Sequence, residues 1–379
     1  MMQQEFSMKL HIKTVVLGAL IPFLALTFLT SCSNLGLFSS IEKEVKLNDP
    51  TMRGIITSLE VVNGNIFVTN GTLYQRSGGT GDWNKMSLPS GAERCSEVAS
   101  DGTYLYARFT TSDIGILHSV ERYDPASGGW SSLTGVDNVA RISSGNNRIY
   151  AFTGINNLYK AYVTTGVGST VINSTPIASD ITTPTGTARD STGTTRDYIS
   201  TNKKVYSYDG TTFAELGGVD ASPVGVTGIT TNGTNVYVVN TGFVWRFNTA
   251  APTTGWTSIK HSMATTTNIV YLGAGGKNLL LIGSSSLTTG LGEVVLAAAD
   301  GSFPSTIGSP GDTATSAITT DAALQYKNSI GLWAVYRIFA VTTAVPSGNS
   351  YVLYASIAES TYGGLWSYYS GTRNEWNRE

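Results

Sequence analysis

The sequence predicts an all-β fold built from one repeated four-stranded unit. Three observations carry that prediction: helical periodicity is nearly absent, β-branched residues and turn punctuation dominate, and a Gly-containing turn followed by an aromatic strand recurs along the chain. The clearest copy is Val226–Trp256, VTGITTNGTNVYVVNTGFVWRFNTAAPTTGW. A small-residue strand, Val226–Thr231, meets an Asn232-Gly233 turn, then the alternating strands Val236–Asn240 and Phe243–Phe247, then a loop ending at Trp256. Asn-Gly supplies the two positive-φ positions of a type I′ hairpin turn, whose twist matches the flanking strands. A sheet this small cannot bury both of its faces, so its copies must cover one another.

Composition sets outer limits. The 379 residues are 41% hydrophobic and 13% charged, include 42 Gly and carry a formal net charge of -2. That length suggests two or three domains, but repeats let a single domain grow unit by unit without one deepening core. With near-neutral charge and no Lys/Arg-rich run, nothing is available to neutralise phosphates, which argues against nucleic acid as a partner.

Residues 1–31 read as an address rather than as part of the fold. Lys9 and Lys13 form a basic start, Thr14–Leu29 is an apolar run, and Leu29-Thr30-Ser31-Cys32 follows. Initiation at Met8 instead of Met1 would shorten this segment without changing its character. The tetrapeptide resembles the lipobox of bacterial lipoproteins, in which the cysteine is acylated and becomes the first residue. An ordinary secretory signal or an uncleaved anchor is the alternative reading of the same run. The resemblance implies a lipid anchor at Cys32 that holds the globular part on a membrane surface. Ser33 stands where an Asp would signal inner-membrane retention, which favours the outer membrane. Removal of residues 1–31 takes away Glu5, Lys9 and Lys13, a net +1, and leaves a charge of -3. Residues 32–40 then read as a short polar tether, and 41–379 as the repeat domain. With Cys32 acylated, Cys95 is the one remaining thiol, so the mature chain can form no internal disulfide. Cys95 lies in the strand-like run Cys95–Ser100 and reads as a small buried hydrophobe.

The marker turn occurs seven times: Asn63-Gly64, Asp101-Gly102, Gly145-Asn146, an elongated Ser191-Thr192-Gly193, Asn232-Gly233, Gly275-Gly276 and Gly348-Asn349. Ahead of most copies lies a strand of small and aliphatic residues: Ile56–Val61, Glu97–Ser100, Val139–Ser143, Val226–Thr231 and Ile269–Ala274. Small residues suit the innermost strand of a radial assembly, where sheets crowd around an axis. A closing aromatic follows the third strand at Trp83, Trp130, Phe213, Trp256, Phe303 and Trp376, and the copy near Tyr159 lacks one. A period of about 40–45 residues with four short strands per unit is the signature of a β-propeller blade. The predicted fold is therefore a seven-bladed β-propeller of four-stranded antiparallel blades, with six or eight blades as the alternatives. The surplus length before the last marker is assigned to an insertion around Pro304–Gly331. Glu42–Leu47 is strand-like and has no partner in its own unit; it is expected to complete the last blade and remove a naked sheet edge.

Taken together, the lipobox and the repeats resemble a bacterial β-propeller lipoprotein. The copy Tyr123-Asp124-Pro125…Trp130 is similar to a kelch repeat, although most units lack the paired glycines that open the second kelch strand. These motifs imply the fold and leave the ligand open.

Few residues suggest chemistry. His118 and His261 have no second ligand at metal spacing, so no metal or cofactor is expected. No Gly-x-Ser-x-Gly turn sits between a strand and a helix, as a nucleophile elbow requires. Asp101, Asp124, Asp209 and Asp300 occupy turn positions where Asp bonds its own backbone, so no pair of carboxylates can be chosen for glycoside hydrolysis. Trp83, Trp130, Trp256 and Trp376 sit at repeat positions and are assigned to packing between blades. Trp333, Tyr362 and Trp366 are off register and are candidates for a recognition surface; Arg141, Arg189 and Arg196 are candidates for the channel mouth. The expected function is a non-enzymatic surface for another envelope protein. A glycan-binding module, or a glycan-active enzyme with carboxylates in the central funnel, is the alternative.

Overall fold

In the computed structural model the described residues are 52–79, 81–111, 116–190, 196–217, 225–231, 233–240, 243–259, 267–275, 278–285, 292–296, 335–341, 345, 347, 352–357, 364–369 and 376–379. They form seven antiparallel sheets, six of four strands and one of three, each a simple meander in chain order. The first strands of units 1 to 7 are Ser58–Val62, Arg94–Ser100, Val139–Gly145, Pro184–Arg189, Gly228–Thr231, Thr267–Gly275 and Val335–Val341. Each of these lies at one edge of its sheet.

Those first strands run side by side around the axis in the same direction. Thr57 donates its hydroxyl to Ser96 O, Ser58 to Val98 O, and the Asn63 side-chain amide donates to Thr103 O, an offset of 39 or 40 residues each time. Units 3 and 4 repeat the pattern: Arg141 Nη1 donates to Pro184 O and Thr187 Oγ1 to Ser144 O. A constant offset between parallel inner strands is a rotation, which is the geometry of a propeller. It also gives the ring two distinct faces. On the proximal face the chain arrives at Met52, and the turns between second and third strands lie there. On the distal face lie the turns between first and second strands.

The core sits between sheets, not within them. Phe67 of unit 1 packs with Val98, Leu105 and Phe109 of unit 2; Tyr106 of unit 2 packs with Ile142 and Ile149 of unit 3. Tyr150 and Phe152 of unit 3 meet Ile199 and Tyr208 of unit 4, and Tyr198 meets Val236 and Phe247 of unit 5. The aromatic of the sequence marker is thus the same buried position in successive units, since Phe67, Tyr106, Tyr150, Tyr198, Tyr237 and Tyr354 are all fully buried. Burying one such side chain contributes about 1.5–3 kcal/mol. Closing tryptophans fasten units 2 and 5 to their predecessors: Trp130 Nε1 donates to Ser87 O at 3.1 Å and Trp256 Nε1 to Leu216 O at 3.0 Å.

Closure of the ring follows the same rule with a side-chain acceptor. Trp83 of unit 1 stands edge-on to Tyr354 of unit 7, 6.1 Å between ring centres, and its Nε1 donates to Glu379 Oε2 at 3.0 Å. Arg76 Nη1 reaches the same oxygen at 2.8 Å, and Ser367 Oγ donates to the other carboxylate oxygen. Nearer the axis, Ile56 N donates to Ser356 Oγ at 2.8 Å. The last sheet already has a fourth strand of its own, Trp376–Arg378, paired with Trp366–Tyr368. The expected closing strand Glu42–Leu47 and the insertion around Pro304–Gly331 lie outside the described residues.

Two local readings are refined. Asn63-Gly64 is the predicted turn, with φ of 47° and 75°. In unit 3, by contrast, Gly145 pairs with Arg148 and the turn falls one residue later, on Asn146-Asn147. Gly145 is needed for a different reason: a Cβ there would lie 2.6 Å from the Tyr150 ring and 2.9 Å from Asp197 Oδ2. The missing closing aromatic of unit 3 also has an explanation. Residues 164–173 loop onto unit 2, where Thr134 N–H donates to Thr170 O and its carbonyl accepts Ile172 N–H, and Ile172 enters the core between units 2 and 3. Gly135, with φ +104°, permits this, since a Cβ would stand 2.2 Å from Ile172 O.

Candidate functional site

Among the described residues, two concave places stand out on the inner strands and the distal loops. The first lies on the axis, among the first strands of units 1 to 4. Alternate residues of a strand share a face, so Ser58 and Glu60, Arg141 and Ser143, and Thr185, Thr187 and Arg189 are brought together there with Glu97 and Ser144 around a cavity of about 200 Å³. Glu60 reaches across from unit 1 to unit 4, where Arg189 Nη2 donates to it at 2.9 Å, and Ser144 Oγ of unit 3 donates to its other oxygen. Glu97 accepts Arg141 Nε at 3.1 Å and the Ile142 N–H at 3.0 Å. Burial raises the Glu60 pKa; the Arg189 charge and the Ser144 and Arg189 hydrogen bonds oppose that rise. Two carboxylates against two guanidiniums leave the cavity formally neutral.

The second is a cleft of about 410 Å³ on the distal face between units 3 and 4, lined by residues that include Asn147, Arg148, Thr165, Asn173 and Tyr208. Arg148, which lines it, is held from behind by Asp197, the first residue of the second strand of unit 4. This buried carboxylate accepts the Tyr150 hydroxyl at 2.6 Å and the Asn146 N–H at 2.8 Å, and lies 3.5 Å from Arg148 Nε. Burial raises its pKa against the pull of those three partners. Arg148 in turn lies over the Tyr208 ring, 5.2 Å from its centre. At the rim, the Asp209 carboxyl is pushed down to about 2 by the Thr212 and Thr211 N–H groups and the Thr211 hydroxyl. Beside the cleft, the docked loop 164–173 exposes Val167 and Val171.

Of the residues singled out from sequence, Arg141 and Arg189 line the axial cavity. Arg196 is exposed away from it, with its carbonyl accepting Asp190 N and the Asn146 side-chain amide. Trp366 is half-buried in the third strand of unit 7, apart from both places. Cys32, Trp333, Tyr362 and His261 lie outside the described residues. Asp101, Asp124 and Asp209 each bond backbone N–H groups in their turns, as read from sequence. Asp101 does more, because its second oxygen accepts the Tyr106 hydroxyl and the Gly168 N–H and so pins the loop from unit 3. His118 is exposed, with Nε2 3.1 Å from Ser90 O. Cys95 is buried and its thiol pKa is pushed up to about 12 by desolvation, which makes it unreactive.

Glu60, Glu97 and Arg148 were missed. The available signal for the first two was an acid within a strand otherwise made of small and aliphatic residues, which an inner strand tolerates only where a cation meets it.

The chain matches the TP013X lipoprotein family over residues 2–379. It is 24% identical over 408 residues to a protein of Treponema pallidum (strain Nichols) described as an uncharacterized lipoprotein, with 96% of each chain covered. A second such lipoprotein of that organism is 24% identical over 395 residues, covering 94% of this chain and 97% of its own. Among solved structures, YCF48 bound to D1 peptide superposes with a TM-score of 0.55 at 13% identity, covering 84% of this chain and 93% of that one. A chain of the mitotic checkpoint complex gives 0.51 at 11% identity, covering 84% and 90%. At such identities these two likenesses show the propeller fold alone. By its sequence over residues 2–379 the chain belongs to the TP013X lipoprotein family.

Proposed function

We propose that this protein is a lipid-anchored lipoprotein of the bacterial envelope, held at Cys32 on the outer membrane, whose propeller binds or scaffolds another envelope protein without catalysis. The observation that carries this reading is the distal cleft between units 3 and 4. It offers the Thr165 hydroxyl and the Asn147 and Asn173 amides for a polypeptide backbone, and two exposed valines at its side. Loops on a rigid scaffold are where propellers place their contacts. The solved YCF48 structure holds a peptide, D1, on the same fold; for this chain that is support by analogy.

The test is crosslinking in the native envelope followed by purification through the propeller. One envelope protein should co-purify with the wild type, and at least about tenfold less with Val167→Asp/Val171→Asp, since a charge in an apolar contact costs more than about 1.4 kcal/mol. Equal recovery by the variant, with both proteins folded, refutes the cleft as the contact.

The glycan-active alternative has one specific observation in its favour, the raised pKa of Glu60 in the axial cavity. A retaining or inverting hydrolase also needs a second carboxylate free to act as nucleophile or base. Glu97 is instead held by Arg141 and the Ile142 N–H. The arrangement reads as a fastening across the axis.

A further inference from the structure

Among the described residues, four of the six exposed large apolar side chains share one face. On the proximal face they follow one another through three adjacent units: Ile55 ahead of unit 1 is 40% exposed, Ile116 in the second-to-third-strand turn of unit 2 is 58% exposed, and Ile155 and Leu158 in unit 3 are 76% and 60% exposed. Ile155 and Leu158 are cross-strand partners at a hairpin tip. Asn156 and Asn157 between them, with φ of 54° and 65°, form a tight turn that holds both side chains outward. Among the described residues none of the four belongs to a core cluster between units, so their exposure, not the core, is what their apolar character serves. An apolar arc of this kind marks a contact surface.

The place where the chain joins the ring says what that surface meets. Met52 and Ile56 lead into unit 1 on this same face, and Asn70, in the second-to-third-strand turn of unit 1, donates to Arg53 O at 2.6 Å. Residues 33–51, nineteen in all, separate Met52 from Cys32. They span at most about 65 Å, and any less extended path brings the proximal face nearer the bilayer. Exposed Lys160 and Lys203 flank the arc, while Glu93 and Asp180 are exposed acids on the same side. Charge is therefore mixed and the apolar tips carry the attraction.

We propose that the proximal face of the propeller rests on the bilayer that holds Cys32, with Ile55, Ile116 and the Ile155–Leu158 tip entering the boundary between headgroups and acyl chains. Short apolar projections with a polar surround bind at that depth without spanning. The proposal rests on the lipid-anchored reading above, and it leaves the distal cleft facing away from the membrane.

The experiment uses the full lipidated chain reconstituted in phosphatidylcholine–phosphatidylglycerol vesicles that contain doxyl-labelled lipid. Leu158→Cys carries an environment-sensitive fluorophore, Ile116→Cys is a second reporter from the neighbouring unit, and Val167→Cys reports from the distal face. Cys95, buried, does not compete for the label. Doxyl lipid should quench emission from the two proximal positions by about half or more and leave the distal one unchanged. Flotation with vesicles but no quenching at positions 116 and 158 overturns this inference while leaving the anchor intact, and frees the face for a protein partner. Equal quenching at 167 overturns it too. Failure to float removes the anchor and the inference together.

Discussion

Replacing Asp197 with alanine should lower stability by about 3–5 kcal/mol, the usual cost of removing one partner from a buried charged network. The carboxylate is fully buried and serves three groups of unit 3: the Tyr150 hydroxyl, the Asn146 N–H and the Arg148 guanidinium. Alanine leaves the first two without this acceptor in a place that water does not reach. Asp197→Asn keeps the shape and one acceptor oxygen, so its cost should be nearer about 1–2 kcal/mol. Urea unfolding at pH 7 separates the two variants. Because burial holds the Asp197 pKa above the ordinary Asp value, the folded chain takes up this proton before the unfolded chain does. The group therefore adds stability as pH falls through its folded pKa, and the increment is complete below about 3.9, the unfolded value. The gap between wild type and Asp197→Ala should be wider at pH 4 than at pH 7. A uniform gap, or a variant as stable as wild type, would contradict this picture of the junction between units 3 and 4.

Loss of the Glu379 carboxylate should loosen the ring where its first and last units meet. Glu379→Ala strips Arg76 and Trp83 of unit 1 and Ser367 of unit 7 of a shared acceptor, and Arg76 and Glu379 are both about nine-tenths buried, with side-chain exposures of 10% and 11%. A cost of about 3–5 kcal/mol is expected on the same physical ground. A double-mutant cycle with Arg76→Met isolates the pair and should return a coupling of about 1–3 kcal/mol. Additive effects, or an unchanged melting temperature for Glu379→Ala, would mean that closure does not depend on this carboxylate and rests instead on contacts such as those of Met52, Ile56 and Tyr354 and the Ile56–Ser356 hydrogen bond.

The repeat was legible because each unit spells out its own local structure. Asn63-Gly64 marks a type I′ turn, the aromatic after the turn in units 1 to 5 and 7 is buried, and Trp83, Trp130 and Trp256 bind to neighbouring units as their spacing implied. What depends on the curvature of the ring was not legible. Glu60 and Arg189 stand 129 residues apart, and nothing local says that units 1 and 4 face each other across the axis. Arg141 and Arg189 could be placed toward the channel since they lie in inner strands; Arg196 could not, since it follows a turn whose path its neighbours do not specify. The docked loop 164–173 was hidden for a similar reason: Ile172 replaces an aromatic in space but not in sequence position.

The seam between units 7 and 1 has a mechanical meaning. Met52 is where the segment leading back to Cys32 joins the ring, its carbonyl would lie 2.4 Å from a Cβ placed on Gly364, and Ile56 holds Ser356. A tug transmitted from the envelope thus reaches the toroid at its one join, peeling contacts apart one after another instead of shearing a whole strand ladder at once. Gly364→Ala, by prying that join, should make the anchored protein yield at lower force while the remaining sheets keep their registry.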